Sequence, residues 1–194
     1  RVLSAKGCEL DSTNTDGFPE AISVAQQADV VILVVGESAG MSGEAASRSS
    51  LELPGNQGDL VKTIHATGKP LVVVLMNGRP LSISWIAQNV PSVLESWFLG
   101  VQAGNAISDV LFGDYNPSGK LTVSFPRAVG QVPIYYNYKN TGRPSGEREH
   151  YTSKYIDLPS TPLFPFGYGL SYARFDYGNL RLTSSKITAN ENLD

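Results

Sequence analysis

The segment "GESAGMSGEAASRSSLEL" (residues 36–53) places Glu37, Glu44 and Arg48 among glycines, alanines and serines. A carboxylate on a loop at the mouth of a cleft can pass a proton to or from a reacting group. Partial burial raises its pKa toward the range where that transfer is most effective. Position alone does not single out either glutamate. Glu44 lies well past the apolar run "VVILVV", where a solvated glutamate paired with Arg48 is the simpler reading. Glu37 follows that run directly, and a carboxylate so close to a strand end more naturally anchors loop amides or an arginine, because buried carboxylates are normally paired. Neither "GES" nor "MSG" has the G-x-S-x-G spacing of a nucleophile elbow. The turn "GVQAGNA" matches neither a phosphate loop nor a dinucleotide fingerprint.

The remaining chemistry is narrowed by composition. The chain has 194 residues, 41% of them hydrophobic and 17% charged, with 19 glycines, 12 prolines and a net charge of −3. Without a lysine or arginine cluster it carries no footprint for nucleic acid or an acidic membrane surface. Cys8 has no partner for an intramolecular disulfide, and with only His65 and His150 beside it no zinc site is expected, nor any cofactor. The apolar runs are too short to span a bilayer. Opening on "RVLSAKGCEL" and closing on "ITANENLD", the chain reads as an interior piece of a longer polypeptide.

The loop must be held by the elements around it. "VVILVV" (30–35) and "LVVVLM" (71–76) are continuous aliphatic runs, the pattern of strands covered on both faces in a parallel sheet, and Val93 to Phe98 has the length of a third. Helical periods lie between and after them: about Glu20 to Gln27 with Asp16 as cap, a second marked by Leu60, Val61 and Ile64, and a third from about Gln102 to Leu111 stopped by Gly113. This order predicts an α/β layered sandwich with a mainly parallel sheet, whose ligands gather at the carboxyl ends of the strands. Glu37 and Glu44, "MNGRP" (76–80) and "LGVQAG" (99–104) all fall there.

Beyond Asp114 the texture changes. Residues 1–127 are expected to form the α/β domain, and 128–172 a long loop and connection rich in Tyr, Pro and Gly. Residues 173–194 are expected to begin a β-sandwich domain, with a first strand from Leu180 to Ile187. Tyr135, Tyr136, Tyr138, Tyr151 and Tyr155, with Trp85 and Trp97, could line a sugar platform, but packing within the loop is the favoured reading. His65 is expected at the surface.

Five ordered blocks, "VVGESAGMSGEAASRSSLELPGNQGDLV", "GKPLVVVLMNGRPL", "GNAISDVLFGDYNPSGKLTVSFPR", "NTGRP" and "PLFPFGYGLSY", resemble the C-terminal part of glycoside hydrolase family 3, in particular the bacterial periplasmic β-glucosidase group. The resemblance runs from about Lys6 to Tyr172. It implies a retaining β-glucosidase, periplasmic or secreted, that acts on terminal β-D-glucosyl residues. The aspartate nucleophile would lie in an N-terminal barrel of the same polypeptide, and a fibronectin type III-like domain would follow. "SGEAASR" matches the family's acid/base motif and so assigns the general acid/base to Glu44. Glu37 and Arg48 become loop anchors, and Met41 and Ser42 weaker candidates for substrate contact. A general acid must hold its proton when substrate arrives, so Arg48 is expected to point away from Glu44, toward Glu37 or the barrel. The isolated chain is expected to be inactive. Two alternatives stay open: a non-catalytic carbohydrate-binding or scaffolding module, and a β-xylosidase or N-acetylglucosaminidase of the same family.

Overall fold

In the computed structural model, which describes residues 1–144 and 150–192, three parallel strands form one sheet. They are β1 (Val31–Gly36), β2 (Leu71–Met76) and β3 (Ser92–Glu95), in the spatial order β1-β2-β3. Val31 is in register with Leu71, and Val72 with Ser92. Among the described residues four α-helices accompany them: α1 (Phe18–Gln27), α2 (Gln57–His65), α3 (Ser84–Asn89) and α4 (Ala103–Phe112). This is the expected α/β layering, and the crossover helix α2 joins two parallel strands as such a connection must.

Burial explains the order. Val73, Val74 and Leu75 of β2 are sealed, so both faces of that strand are covered, and Leu60, Val61 and Ile64 of α2 with Ala21 and Ala25 of α1 share the core with Val73 and Leu75. β1 departs from expectation. Its inward residue Val35 is buried, but Ile32 and Val34 on the opposite face are 44% and 55% exposed. An aliphatic run looks the same whether one face or both are covered, so the sequence could not distinguish the two.

Several boundaries also differ. Gly17, not Asp16, occupies the cap position of α1. Asp16 is instead engaged locally, its backbone N–H donating to Asn14 Oδ1 at 2.7 Å and its carboxylate accepting from Asn14 Nδ2 at 2.9 Å. β3 stops at Glu95, short of the expected Phe98, because Trp97 takes a left-handed φ of 55° that no strand continues. The six-residue helix α3 was not anticipated, being too short to show a helical period. It buries Ile86 and sets Trp85 edge-on against the half-buried His65, with centroids 5.4 Å apart. Helix α4 ends as expected at Gly113, whose φ of 84° is the left-handed closing turn glycine favours. No residue of α4 is fully buried.

The tyrosine-rich segment returns to the domain. Phe125 and Phe164 form an antiparallel bridge, Leu121 N–H donates to Tyr168 O at 2.8 Å, and Tyr172 Oη donates to Val110 O at 2.7 Å. From residue 173 to 192 there is no regular element, and Leu180, Leu182 and Ile187 are exposed. The strand expected at Leu180 to Ile187 is therefore not formed among the described residues. A strand needs a neighbouring strand for its ladder, and the sheet among the described residues holds only β1, β2 and β3.

Candidate active site

The carboxyl ends of β1 and β2 meet at Glu37. Its backbone N–H continues the ladder to Met76 O at 2.8 Å, which holds the residue against the sheet with its side chain fully buried. Two arginines neutralise that carboxylate. Arg48 Nη1 reaches Oε1 at 2.7 Å, and Arg79 Nε lies 3.0 Å from Oε1 and 3.3 Å from Oε2. The two arginine side chains are 21% and 18% exposed, so all three charges sit largely out of water. Arg48 thus points to Glu37 and not to Glu44.

Between the two arginine-bound ends the chain rises into an open loop. A single 3₁₀ turn spans Ala39–Met41, and then Gly43 and Ala45 take φ values of 137° and 56° on either side of Glu44. Alanine in the left-handed region is disfavoured by about 1–2 kcal/mol, a cost that glycine at position 43 avoids. The kink exposes Glu44, which makes no hydrogen bond or ion pair among the described residues. Arg79 Nη2 ties down both shoulders of this loop, donating to Met41 O and, at 2.9 Å, to Ala46 O. Arg48 Nη2 closes its far end on Glu52 O at 3.0 Å.

Met41 and Ser42 are half-buried on the same loop. Ser42 packs onto Gly78: a Cβ at that glycine would collide with the Ser42 side chain and stand 2.7 Å from the Phe98 ring. Hence the turns after β1, β2 and β3 touch one another directly. The base of the loop is fixed by Gln57, the first residue of α2. Its amide accepts from Gly36 N–H at 2.7 Å and donates to Gly36 O at 2.8 Å and Leu10 O at 2.7 Å. A side chain here takes the place of the neighbouring strand that the end of β1 lacks.

A third glutamate belongs to this edge. Burial pushes the Glu95 carboxyl up to about 7 from an ordinary 4.5, despite the Trp97 N–H at 3.1 Å and the Asn77 amide at 3.3 Å, which favour its ionised form. Asn77 is itself fully buried, and its Oδ1 has no hydrogen-bond partner among the described residues. Sequence reasoning gave no role to Arg79, Gly78 or Glu95. The available signal for Arg79 was its place three residues past β2, beside the strand that delivers Glu37. Trp85 and Trp97 pack with the core, Trp97 with its ring 5.8 Å from Phe125, so neither forms a platform. Tyr135, Tyr136, Tyr138, Tyr151 and Tyr155 are exposed; within the segment Tyr136 stacks on Phe166 with centroids 4.8 Å apart and Tyr155 Oη donates to Gly130 O at 2.9 Å, the loop packing expected of them. Among the described residues no cluster of three or more His, Cys, Asp or Glu could hold a metal ion.

Residues 4–172 match the glycosyl hydrolase family 3 C-terminal domain. The chain belongs to glycosyl hydrolase family 3. Two relatives share about the same identity with this family 3 chain. A beta-xylosidase of Formosa agariphila is 53% identical over 190 residues, which are 98% of this chain and 26% of that protein. A periplasmic beta-glucosidase of Salmonella typhimurium is 54% identical over 178 residues, 88% of this chain and 23% of that protein. The fold superposes on the beta-glucosidase from Listeria innocua in complex with glucose with a TM-score of 0.86 and 41% identity, over 90% of this chain and 25% of the other. The family 3 chain thus spans about a quarter of the length of the proteins it matches.

Proposed function

We propose that this chain supplies the general acid/base, Glu44, of a retaining β-glucosidase, and that the aspartate nucleophile comes from a barrel domain elsewhere in the same polypeptide. The observation that carries the reading is the contrast between the two loop glutamates. Glu37 is buried and paired with two arginines; Glu44 is exposed, without a hydrogen bond or ion pair among the described residues, and flanked by two residues of positive φ, Gly43 and Ala45. A carboxylate neutralised twice over cannot readily give up or take a proton, whereas Glu44 is free to meet another surface.

In the first step the nucleophile attacks the anomeric carbon while the Glu44 carboxylic acid gives its proton to the departing glycosidic oxygen. In the second, the Glu44 carboxylate takes a proton from water as that water releases the sugar from the covalent intermediate, with net retention. The two carboxyl groups must then stand about 5–5.5 Å apart. A neighbouring anionic nucleophile favours the protonated acid before the first step, and its consumption in the ester favours the ionised base for the second. Met41 and Ser42 stand nearest on the loop as contacts to the leaving group, and the segment from residue 173 onward leads into a fibronectin-like domain that would give it strand partners. A periplasmic or secreted location accords with the periplasmic relative. No helix among the described residues is long and apolar enough to cross a membrane.

The similar identity to a beta-xylosidase favours a second reading for the sugar, a β-xyloside in place of a β-glucoside. Comparing kcat/KM for 4-nitrophenyl β-glucoside and β-xyloside on the full-length enzyme separates them. The role of Glu44 is tested in the same enzyme by Glu44→Ala. Turnover of cellobiose should fall by about 10²–10⁴, the usual worth of general acid–base catalysis, and a loss of under about tenfold would remove the assignment.

A further inference from the structure

We propose that Arg79 is a positioning residue for Glu44: it sets how far the acid/base loop reaches, without touching substrate. This rests on the reading of Glu44 as the acid/base. Within residues 38–47 the internal hydrogen bonds are short local turns, Met41 N–H to Ser38 O at 3.0 Å, Ser42 N–H to Ala39 O at 3.4 Å and Ala46 N–H to Gly43 O at 3.3 Å. The hydrogen bonds that join this stretch to the rest of the described fold come from Arg79, at Met41 O and Ala46 O. Those carbonyls lie three residues before Glu44 and two after it. Glu44 has no hydrogen bond or ion pair of its own among the described residues, so its location is inherited from the two shoulders.

Arg79 is itself placed by the sheet. It follows β2, and its Nε is locked on the buried Glu37 carboxylate that β1 delivers. One planar guanidinium therefore transmits the position of two adjacent strand ends to both sides of the proton donor. Lysine could keep the charge beside Glu37, but a single ammonium has no fork with which to span a carboxylate and two separated carbonyls. The sensitivity of proton transfer to distance makes the placement matter: a misplacement of about 1 Å can cost about 10²-fold in rate. Arg48 has a different task, since its second contact is Glu52 O, eight residues beyond Glu44.

The test uses the full-length enzyme with Arg79→Lys, Arg79→Gln and, for comparison, Glu44→Gln. For each preparation kcat/KM is measured with methyl β-glucoside, whose leaving group needs a proton, and with 2,4-dinitrophenyl β-glucoside, whose leaving group does not. Because kcat/KM reports the first chemical step, and both substrates meet the same preparation, any misfolded fraction lowers both values equally and cancels from their ratio. Both Arg79 variants should lose about 10–100-fold more on the methyl glucoside than on the dinitrophenyl glucoside. If Glu44→Gln is selective in this way while the Arg79 variants lower both substrates alike, or neither, Arg79 has no positioning role and the assignment of Glu44 stands. If Glu44→Gln shows no selectivity, both readings fall.

Discussion

Replacing Glu37 by Gln removes one negative charge and keeps nearly the same volume, which isolates the electrostatic part of the anchor. In the native chain the carboxylate is inaccessible and lies 2.7 Å from Arg48 and 3.0 Å from Arg79. Breaking a buried ion pair from one side costs about 3–5 kcal/mol, chiefly because the surviving charge is left without compensation. Here two guanidiniums would be left, repelling each other. Two effects reduce the figure. The glutamine carbonyl can still accept a hydrogen bond from one guanidinium, worth about 1.5–3 kcal/mol, and about a fifth of each arginine side chain already meets water and can rehydrate. The expected loss is about 3 kcal/mol. With a urea m value of about 2 kcal/mol/M, the unfolding midpoint should fall by about 1.5 M. Fluorescence of Trp97, packed on Phe125, and Trp85 reports the transition. Arg48→Gln should cost less, because Glu37 keeps Arg79, and the double variant Glu37→Gln/Arg48→Gln should be more stable than the sum of the single effects by about 1–3 kcal/mol. A loss below about 1 kcal/mol for Glu37→Gln, or simple additivity, would show that the cluster is not the anchor described here.

Two further outcomes test the surroundings of the loop. Glu95 has a folded pKa of about 7 against an ordinary 4.5, so between those values the folded chain binds more protons than the unfolded one. Stability from this group is full below about pH 4.5 and is lost as pH rises through 7, by up to about 3 kcal/mol. Urea midpoints measured from pH 4.5 to 8 should show the decline, and Glu95→Gln should flatten it; an unchanged slope in the variant would assign the decline to other groups. Gln57→Ala removes the amide that satisfies Gly36 and Leu10 and leaves polar backbone groups at the end of β1 without partners. About 2–4 kcal/mol of stability should go with it, since each buried group left unsatisfied costs about 1–3 kcal/mol, and a midpoint within error of the parent would contradict that role.

The sheet was legible wherever local pattern and tertiary environment agree. β2 is aliphatic throughout and buried throughout, and α4 stops at the glycine that its left-handed turn requires. What escaped depended on partners distant in the chain. The open face of β1 depends on what covers Ile32 and Val34, and the stretch after Leu180 on a strand to pair with, neither of which is written in the local residues. Arg79 met no motif, since its importance arises when β1 and β2 pair in parallel register and bring "GRP" beside Glu37, 42 residues away in sequence. Glu95 was visible only as a charge among apolar neighbours; its displaced titration comes from burial at the edge where Asn77 and Trp97 meet. For Glu44 the reverse holds. Its position along the chain favoured a solvated glutamate, the resemblance of "SGEAASR" pointed to catalysis, and the structure adds a backbone that projects it.

The most direct measurement is the product that Glu44→Ala makes in the full-length enzyme from 2,4-dinitrophenyl β-glucoside with added azide. In a retaining mechanism the sugar is held on the nucleophile through its α face after the first step, and azide, which needs no proton removed, can replace water on the opposite face. The proposed role of Glu44 predicts a rate that rises with azide and a β-glucosyl azide product. An α-glucosyl azide would make Glu44 the nucleophile, and a rate indifferent to azide would remove it from the proton transfer altogether.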